Sequence, residues 1–149
     1  AARYPLSLNT SHPTQRLHSQ LDNTPLRDKF AIADREAILI HPDDAKARGI
    51  QDGDLVRAFN DRGQILVGAL LSKDIRPGVV RICEGAWFDP AKPGEVGAIC
   101  KNGNVNCLTF DEGSSSLAQG NCGHMAQLQI EKYSGPDLVN TAHEVPVNA

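Results

Sequence analysis

The chain has 149 residues, 40% of them hydrophobic and 22% charged, a mixture that supports one domain with a real core. Its net charge of −3, with scattered basic residues and few aromatics, excludes a broad basic field or stacking platform for nucleic acid. No apolar run approaches the roughly 20 residues needed to cross a bilayer, and no basic segment followed by an apolar one marks a signal peptide.

The chain begins inside the strand-like "RYPLSLNT", which predicts a domain cut from a longer protein. "TSHPTQRLHSQL" follows, at residues 10–21. Ser11 has the chemistry of a helix cap, Pro13 suits a first turn, and Leu17 and Leu21 are spaced to share a buried face. A short helix or helical turn is expected over 13–21, with His12, Arg16 and Gln20 along a polar stripe. Residues 22–36 read as an irregular loop. "AILIHP" is a buried strand stopped by Pro42, and "PDDAKARG" is a two-turn helix. Its acidic residues lie at the positive end, its basic residues at the negative end, and Gly49 at the C-cap.

After the turn "DGD", residues 54–73 form a hairpin closed at "NDRGQ". "IRPGVVRICEG" is a Pro-Gly turn and a buried strand, 86–105 is loop-rich, and "CLTF" reads as a short strand. A Gly/Ser-rich connection leads to the last strand, "MAQLQIEKY". The expected division is a domain over 1–133 and a polar tail over 134–149. Many short strands with glycine turns predict a mainly β fold with short helices and a closed barrel. "GIQDGDLV" and "IRPGVV" hint at an internal pseudo-repeat.

Three stretches offer chemistry. In "TSHPTQRLHSQ", backbone amides at a helix start and the Arg16 guanidinium suit an anion, while His12 and Gln20 suit polar ring edges. A solvated helix with a capping serine explains the same residues, and the local sequence leaves both readings open. A metal is disfavoured, because His12 and His18 would face different sides of a helix. The loops "KNGNVN" (101–106) and "AQGNCG" (118–123) combine glycines, which admit close approach, with amides that pair with ring edges. Ordinary turns use the same residues. Neither loop matches a Rossmann or P-loop pattern. "DEGSSS" lacks a nucleophile elbow. Cys83, Cys100, Cys107 and Cys122 form no C-x-x-C pair and read as small buried thiols.

Taken together, "SHPTQRLHSQL", "HPDDAKARGIQDGDLVRAFNDRGQ", "PGVVRICEGAWFDP", "GNVNCLTFDEGSSSLAQGNC" and "IEKY" resemble the C-terminal molybdopterin-dinucleotide-binding domain of the dimethyl sulfoxide reductase family. The likeness is nearest to the trimethylamine-N-oxide, dimethyl sulfoxide and biotin sulfoxide reductases. It implies a double-psi β-barrel of the aspartate-decarboxylase-like type. It also implies a bis(molybdopterin guanine dinucleotide) molybdenum cofactor shared with N-terminal domains outside this chain. By position, Ser11, His12, Pro13, Arg16 and His18 match the stretch that lines the cofactor, and Asn106, Gln119 and Asn121 match its later loops. Asn102 departs from the tyrosine common there.

No catalytic residue and no protein ligand to the metal is expected here, so the chain alone should not turn over substrate. The resemblance further implies a periplasmic parent enzyme of anaerobic respiration that reduces an N- or S-oxide by oxygen-atom transfer, with a cytochrome c-type electron donor. The competing expectation is a non-catalytic barrel serving as an assembly platform.

Overall fold

Alternation of apolar and polar residues builds the sheet. The structure, a computed structural model, describes residues 3–120 and 122–145. In β1 (Leu6–Asn9) the burial alternates, with Leu6 and Leu8 inside and Ser7 and Asn9 outside, as a strand with one wet face requires. The same alternation marks β2 (Ala37–Ile40), β3 (Leu55–Phe59) and β5 (Val79–Ile82), while β6 (Gln127–Lys132) buries Leu128 and Ile130. In β4 (Gln64–Leu71), residues 65–69 are all buried, so loops cover its outer face. Ile32 lies against Gly68, where a Cβ would overlap it.

Among the described residues the strands close in the order β1-β5-β2-β4-β3-β6 and back to β1. β1 runs parallel to β5 and β2 parallel to β4, and the remaining pairs are antiparallel. Closure leaves no free strand edge. Leu6, Leu8, Ile38, Ile40, Val56, Ile65, Ile82, Leu128 and Ile130 fill the interior. The mainly β fold and closed barrel expected from the sequence are present, and the topology is the double-psi type. The two segments read as a pseudo-repeat each turn through a glycine at φ +82°, Gly53 before β3 and Gly78 before β5.

The expected helix is present but shorter than two turns: α1 spans Pro42–Lys46 with Ala47 as its C-cap, and Gly49 follows it at φ +64°. Pro42 occupies its first turn, and His41 Nδ1 accepts from the Asp43 amide. Arg48 donates to Gln129 Oε1 and to the Asp44 carbonyl, tying the helix to β6.

Two local expectations fail. Residues 13–21 are not a helix but a succession of turns, with an isolated bridge between Leu17 and Gln20 and positive φ at His18 and Leu21. Leu17 and Leu21 are 59% and 50% exposed, so they share no buried face. Arg16, placed on a solvated stripe by the helical reading, is buried instead. "CLTF" is not a strand either. Val105–Cys107 is a 3-10 turn whose Asn104 side chain accepts from the Asn106 amide. The buried Asn60 side chain donates to the carbonyls of Leu108 and Gln127. The Leu108 carbonyl therefore meets a side chain rather than a strand ladder.

Residues 138–143 return to the body of the domain. The Leu138 carbonyl accepts from Arg35, Asn140 donates to the Asp34 carbonyl, and Thr141 bonds the Asp89 carboxylate. No helix of the described residues is long and apolar enough to cross a membrane.

Candidate functional site

A buried ionic hub organises one end of the barrel. Arg16 Nη1 lies 2.8 Å from Glu36 Oε2 and 3.3 Å from Asp22 Oδ1, and its side chain is 2% exposed. Its Nη2 donates to the Glu84 carbonyl. Asp22 Oδ2 accepts from the Trp87 amide (3.0 Å) and from Asn102 Nδ2 (3.3 Å), and it lies 2.9 Å from His143 Nε2. The hub joins distant chain segments through one cation and two carboxylates. Burial pushes the Glu36 carboxyl up from its ordinary range, and Arg16 opposes that rise by its charge and hydrogen bond.

The hub fixes the stretch above it. Gly85, at φ +96°, sits beneath the turn, and a Cβ there would overlap the His18 carbonyl and lie 2.8 Å from Arg16 Nε. Only glycine admits both the conformation and the approach. The Glu84 amide donates to the Ser11 carbonyl. Glu84 thereby stands between His12 and His18: Nδ1 of each ring lies against Oε1, at 2.6 and 2.8 Å. The rings meet edge to face with centroids 5.0 Å apart. The expectation that these histidines face different sides is overturned, because the turns fold residue 18 back toward residue 12. Their ligand atoms and that of Glu84 lie within 4.8 Å of one another, the donor set of a metal site. Glu84 Oε1 receives no aligned hydrogen bond, so contact rather than directed bonding holds the cage. Both imidazoles remain mostly exposed, at 69% and 65%.

Beside the cage lies a groove of about 260 Å³ lined by His12, Pro13, Phe30, Leu39, Leu70 and Arg81, among others. Pro13 itself is buried. Ser11 Oγ lies 3.7 Å from Cys83 Sγ, a weak partner. Asn106 and Gln119 are both exposed and line a different groove, of about 680 Å³, with Thr109, Phe110 and Gly113. Gln119 donates to the Ser115 carbonyl, and a Cβ on Gly113 would overlap its amide oxygen. Asn121 lies outside the described residues. Of the predicted residues, His12 and Pro13 line the first groove and Asn106 and Gln119 the second, while His18 joins the first only through its contacts with His12 and Glu84. Arg16 stands apart, enclosed by carboxylates beneath the first groove.

Sequence reasoning missed Glu84, Glu36 and Asp22. Glu36 and Asp22 sit in a segment read as irregular loop, and nothing in their spacing marks them. For Glu84 a signal existed: it is followed by glycine directly after a buried strand, a place where a side chain emerges beside a close backbone approach. Asn102, where tyrosine was expected, is 1% exposed and joins Asp22 to the Trp87 carbonyl.

Comparison with known proteins agrees with this architecture. The family model described as "Molydopterin dinucleotide binding domain" matches residues 6–126. A dimethyl sulfoxide/trimethylamine N-oxide reductase from Cereibacter sphaeroides is 53% identical over 148 residues, covering 99% of this chain and 18% of the relative. Trimethylamine-N-oxide reductase 1 of Escherichia coli K12 is 54% identical over 134 residues, 89% of this chain and 16% of its own length. This chain therefore spans less than a fifth of the curated relatives it matches. Among solved structures, acetylene hydratase from Pelobacter acetylenicus superposes with a TM-score of 0.67 at 21% identity, over 89% of this chain and 19% of that one. That likeness concerns the fold. Barrel, groove and sequence match agree: the chain belongs to the molydopterin dinucleotide binding domain family.

Proposed function

We propose that this chain is the cofactor-enclosing domain of a bis(molybdopterin guanine dinucleotide) molybdenum oxidoreductase that reduces trimethylamine N-oxide or a related N- or S-oxide. The observation that carries the reading is the cage at residues 12, 18 and 84. Two exposed imidazoles lie against one carboxylate, beside a groove that His12 lines, in a chain 53% identical to an N-/S-oxide reductase. Exposed, pre-oriented ring nitrogens suit the donors and acceptors on the edge of a pterin.

The residues present fit such a group. Gly85 lets the His18 turn pack down so that both imidazoles stand together and mostly exposed, and Ser11 holds only a weak sulfur contact that a ligand acceptor can displace. His12, His18 and Ser11 would bond one ring system, with Pro13 packed beneath it. Asn106, Gln119 and Asn121 would serve the second dinucleotide from the other groove. Arg16 enters this reading from below: its charge, neutralised by Glu36 and Asp22, holds the turn that presents the histidines. When bound, the cofactor supplies a metal centre that accepts an oxygen atom and exchanges two electrons. The chain's own residues bind and orient it, and they cover it from water.

The rest of the enzyme would be contributed by other domains of the same polypeptide, with a cytochrome c-type donor and a periplasmic setting. The test is made on the full-length protein carrying His12→Ala and His18→Ala together. Molybdenum by mass spectrometry and pterin by the fluorescence of its oxidised product should both fall severalfold. Cofactor content equal to that of the parent protein would reject the assigned role.

A further inference from the structure

In the cage of His12, His18 and Glu84 the carboxylate lacks a true partner. Glu84 Oε1 lies 2.6 Å from His12 Nδ1 and 2.8 Å from His18 Nδ1, yet it is buried and receives no aligned hydrogen bond. The in-plane axes of both Nδ1 atoms, along which an N–H or a lone pair points, therefore pass beside this oxygen rather than through it. Among the described residues no lysine or arginine lies within ion-pair distance of the Glu84 carboxylate: Arg16 pairs with Glu36 and Asp22 and reaches only the Glu84 carbonyl. A buried anionic oxygen without a directed partner is costly.

The backbone under this carboxylate is fixed, whereas the rings above it can adjust. The Glu84 amide donates to the Ser11 carbonyl at 3.1 Å, the Glu84 carbonyl accepts from Arg16, and Gly85 packs beneath the His18 turn. The imidazoles, 69% and 65% exposed, have room to swing. One ligand atom from each of the three residues already lies within 4.8 Å of the others. A four-coordinate ion with bonds of about 2.0–2.2 Å sets its ligand atoms roughly 3.3–3.5 Å apart. The rings need only draw back from Oε1 by less than about 1 Å to meet that spacing.

We propose that in the cofactor-free protein His12, His18 and Glu84 bind one divalent transition-metal ion of the zinc class. Each imidazole coordinates through Nδ1 as the Nε2–H tautomer, Glu84 coordinates through Oε1, and water takes the fourth position on the exposed side. Two nitrogens and one carboxylate suit zinc and its neighbours cobalt, nickel and copper, whereas magnesium and calcium call for oxygen ligands. The ion neutralises the carboxylate and gives Oε1 the partner it lacks. It engages the ring nitrogens assigned above to the pterin, so ion and cofactor exclude each other. That exclusion rests on the proposed function, but metal binding itself does not.

The test uses the full-length protein, produced in cells unable to make the pterin, stripped with a chelator and dialysed against zinc. By plasma mass spectrometry it should retain one zinc ion per chain more than each of the variants His12→Ala, His18→Ala and Glu84→Gln, a difference that metal bound elsewhere in the polypeptide does not produce. Cobalt(II) in place of zinc should give the visible absorption of a four-coordinate nitrogen–oxygen site. Loss of either histidine should weaken its binding at least about tenfold, no less than loss of an outer contact to a metal ligand does. Equal zinc in parent and variants, with circular dichroism showing all of them folded, would overturn the proposal, and so would displacement of the zinc by equimolar magnesium. Should Glu84→Gln unfold, the two histidine variants carry the comparison, since their rings are mostly exposed. The cofactor-loaded protein should take up no additional zinc. An additional ion there, with pterin content unchanged and the ion lost in His12→Ala, would uphold the metal site and reject the pterin role of the histidines.

Discussion

Replacing Arg16 with methionine removes the only cation within direct reach of both Glu36 and Asp22 among the described contacts, while roughly keeping volume. Two carboxylates then share a buried site with exposures of 10% and 1%. Breaking a buried ion pair on one side costs about 3–5 kcal/mol, because the remaining charge is left uncompensated. At about 2–4 °C per kcal/mol for a domain of this size, the melting temperature should fall by about 6–20 °C.

The loss depends on pH in a definite direction. Burial already raises the Glu36 carboxyl above its ordinary 4.5, and Arg16 restrains the rise. Without Arg16 it rises further, so the folded state binds a proton more readily than the unfolded chain. Stability of the variant must therefore increase as pH falls through the folded value toward the ordinary one. Thermal melts at pH 8, 6.5 and 5 check this, and the gap to the parent protein should narrow on acidification. Arg16→Met combined with Glu36→Gln should recover about half of the loss at pH 8, since the second change removes one unpaired charge. A loss under about 1 kcal/mol at pH 8, or one that does not change with pH, would refute the buried-hub account.

Other consequences follow from neighbouring contacts. Gly85→Ala should cost about 2–6 kcal/mol, combining positive-φ strain with overpacking against His18, and lower cofactor content in the full-length protein; urea unfolding and molybdenum analysis check both. Asn60→Ala should cost about 2–4 kcal/mol, since it strips the Leu108 and Gln127 carbonyls of their donor, measurable by urea unfolding. Asp54→Asn should cost at most about 1 kcal/mol, its ion pair with Lys132 being exposed. The Gln51 amide, then Lys132, holds the Asp54 carboxyl below its ordinary value of 3.8. Its contribution is thus present above that value and lost as pH falls through the folded one, so the variant should flatten the acid end of the stability profile.

The barrel was legible because its strands declare themselves locally. Leu6 and Leu8, Ile38 and Ile40, and Val56 and Ala58 alternate with polar or half-buried neighbours, and the hairpin 55–71 turns where glycine and aspartate allow. Helix α1 carries its proline, acids and bases in the expected order. The misread segment, 13–21, shows the limit of such reasoning. Leu17 and Leu21 have helical spacing, but spacing cannot show that Arg16 is claimed by Glu36, Asp22 and the Glu84 carbonyl. Those partners are 20, 6 and 68 residues away. A buried guanidinium must be paired and hydrogen-bonded, and the turns place both Nη groups of Arg16 against these partners, leaving only its Nε without one. The weaker preference of two leucines for a shared helical face gives way.

The same conflict accounts for the histidine pair. A helix would have separated His12 from His18, whereas the chain, bent to bury Arg16, returns His18 to within one ring contact of His12. Gly85 then makes that return sterically possible, and Glu84 beside it receives both rings. The exposed chemistry of the first groove is therefore a product of the buried charge under it. Substitutions in the hub should disturb the orientation of both imidazoles together, whereas His12→Ala should leave His18 and the hub in place. Chemical-shift perturbation of the two imidazoles separates these cases. If Arg16→Met at pH 5, where folding is best restored, leaves both ring signals unmoved, the hub does not position them, and the cage is set by residues 84 and 85 alone.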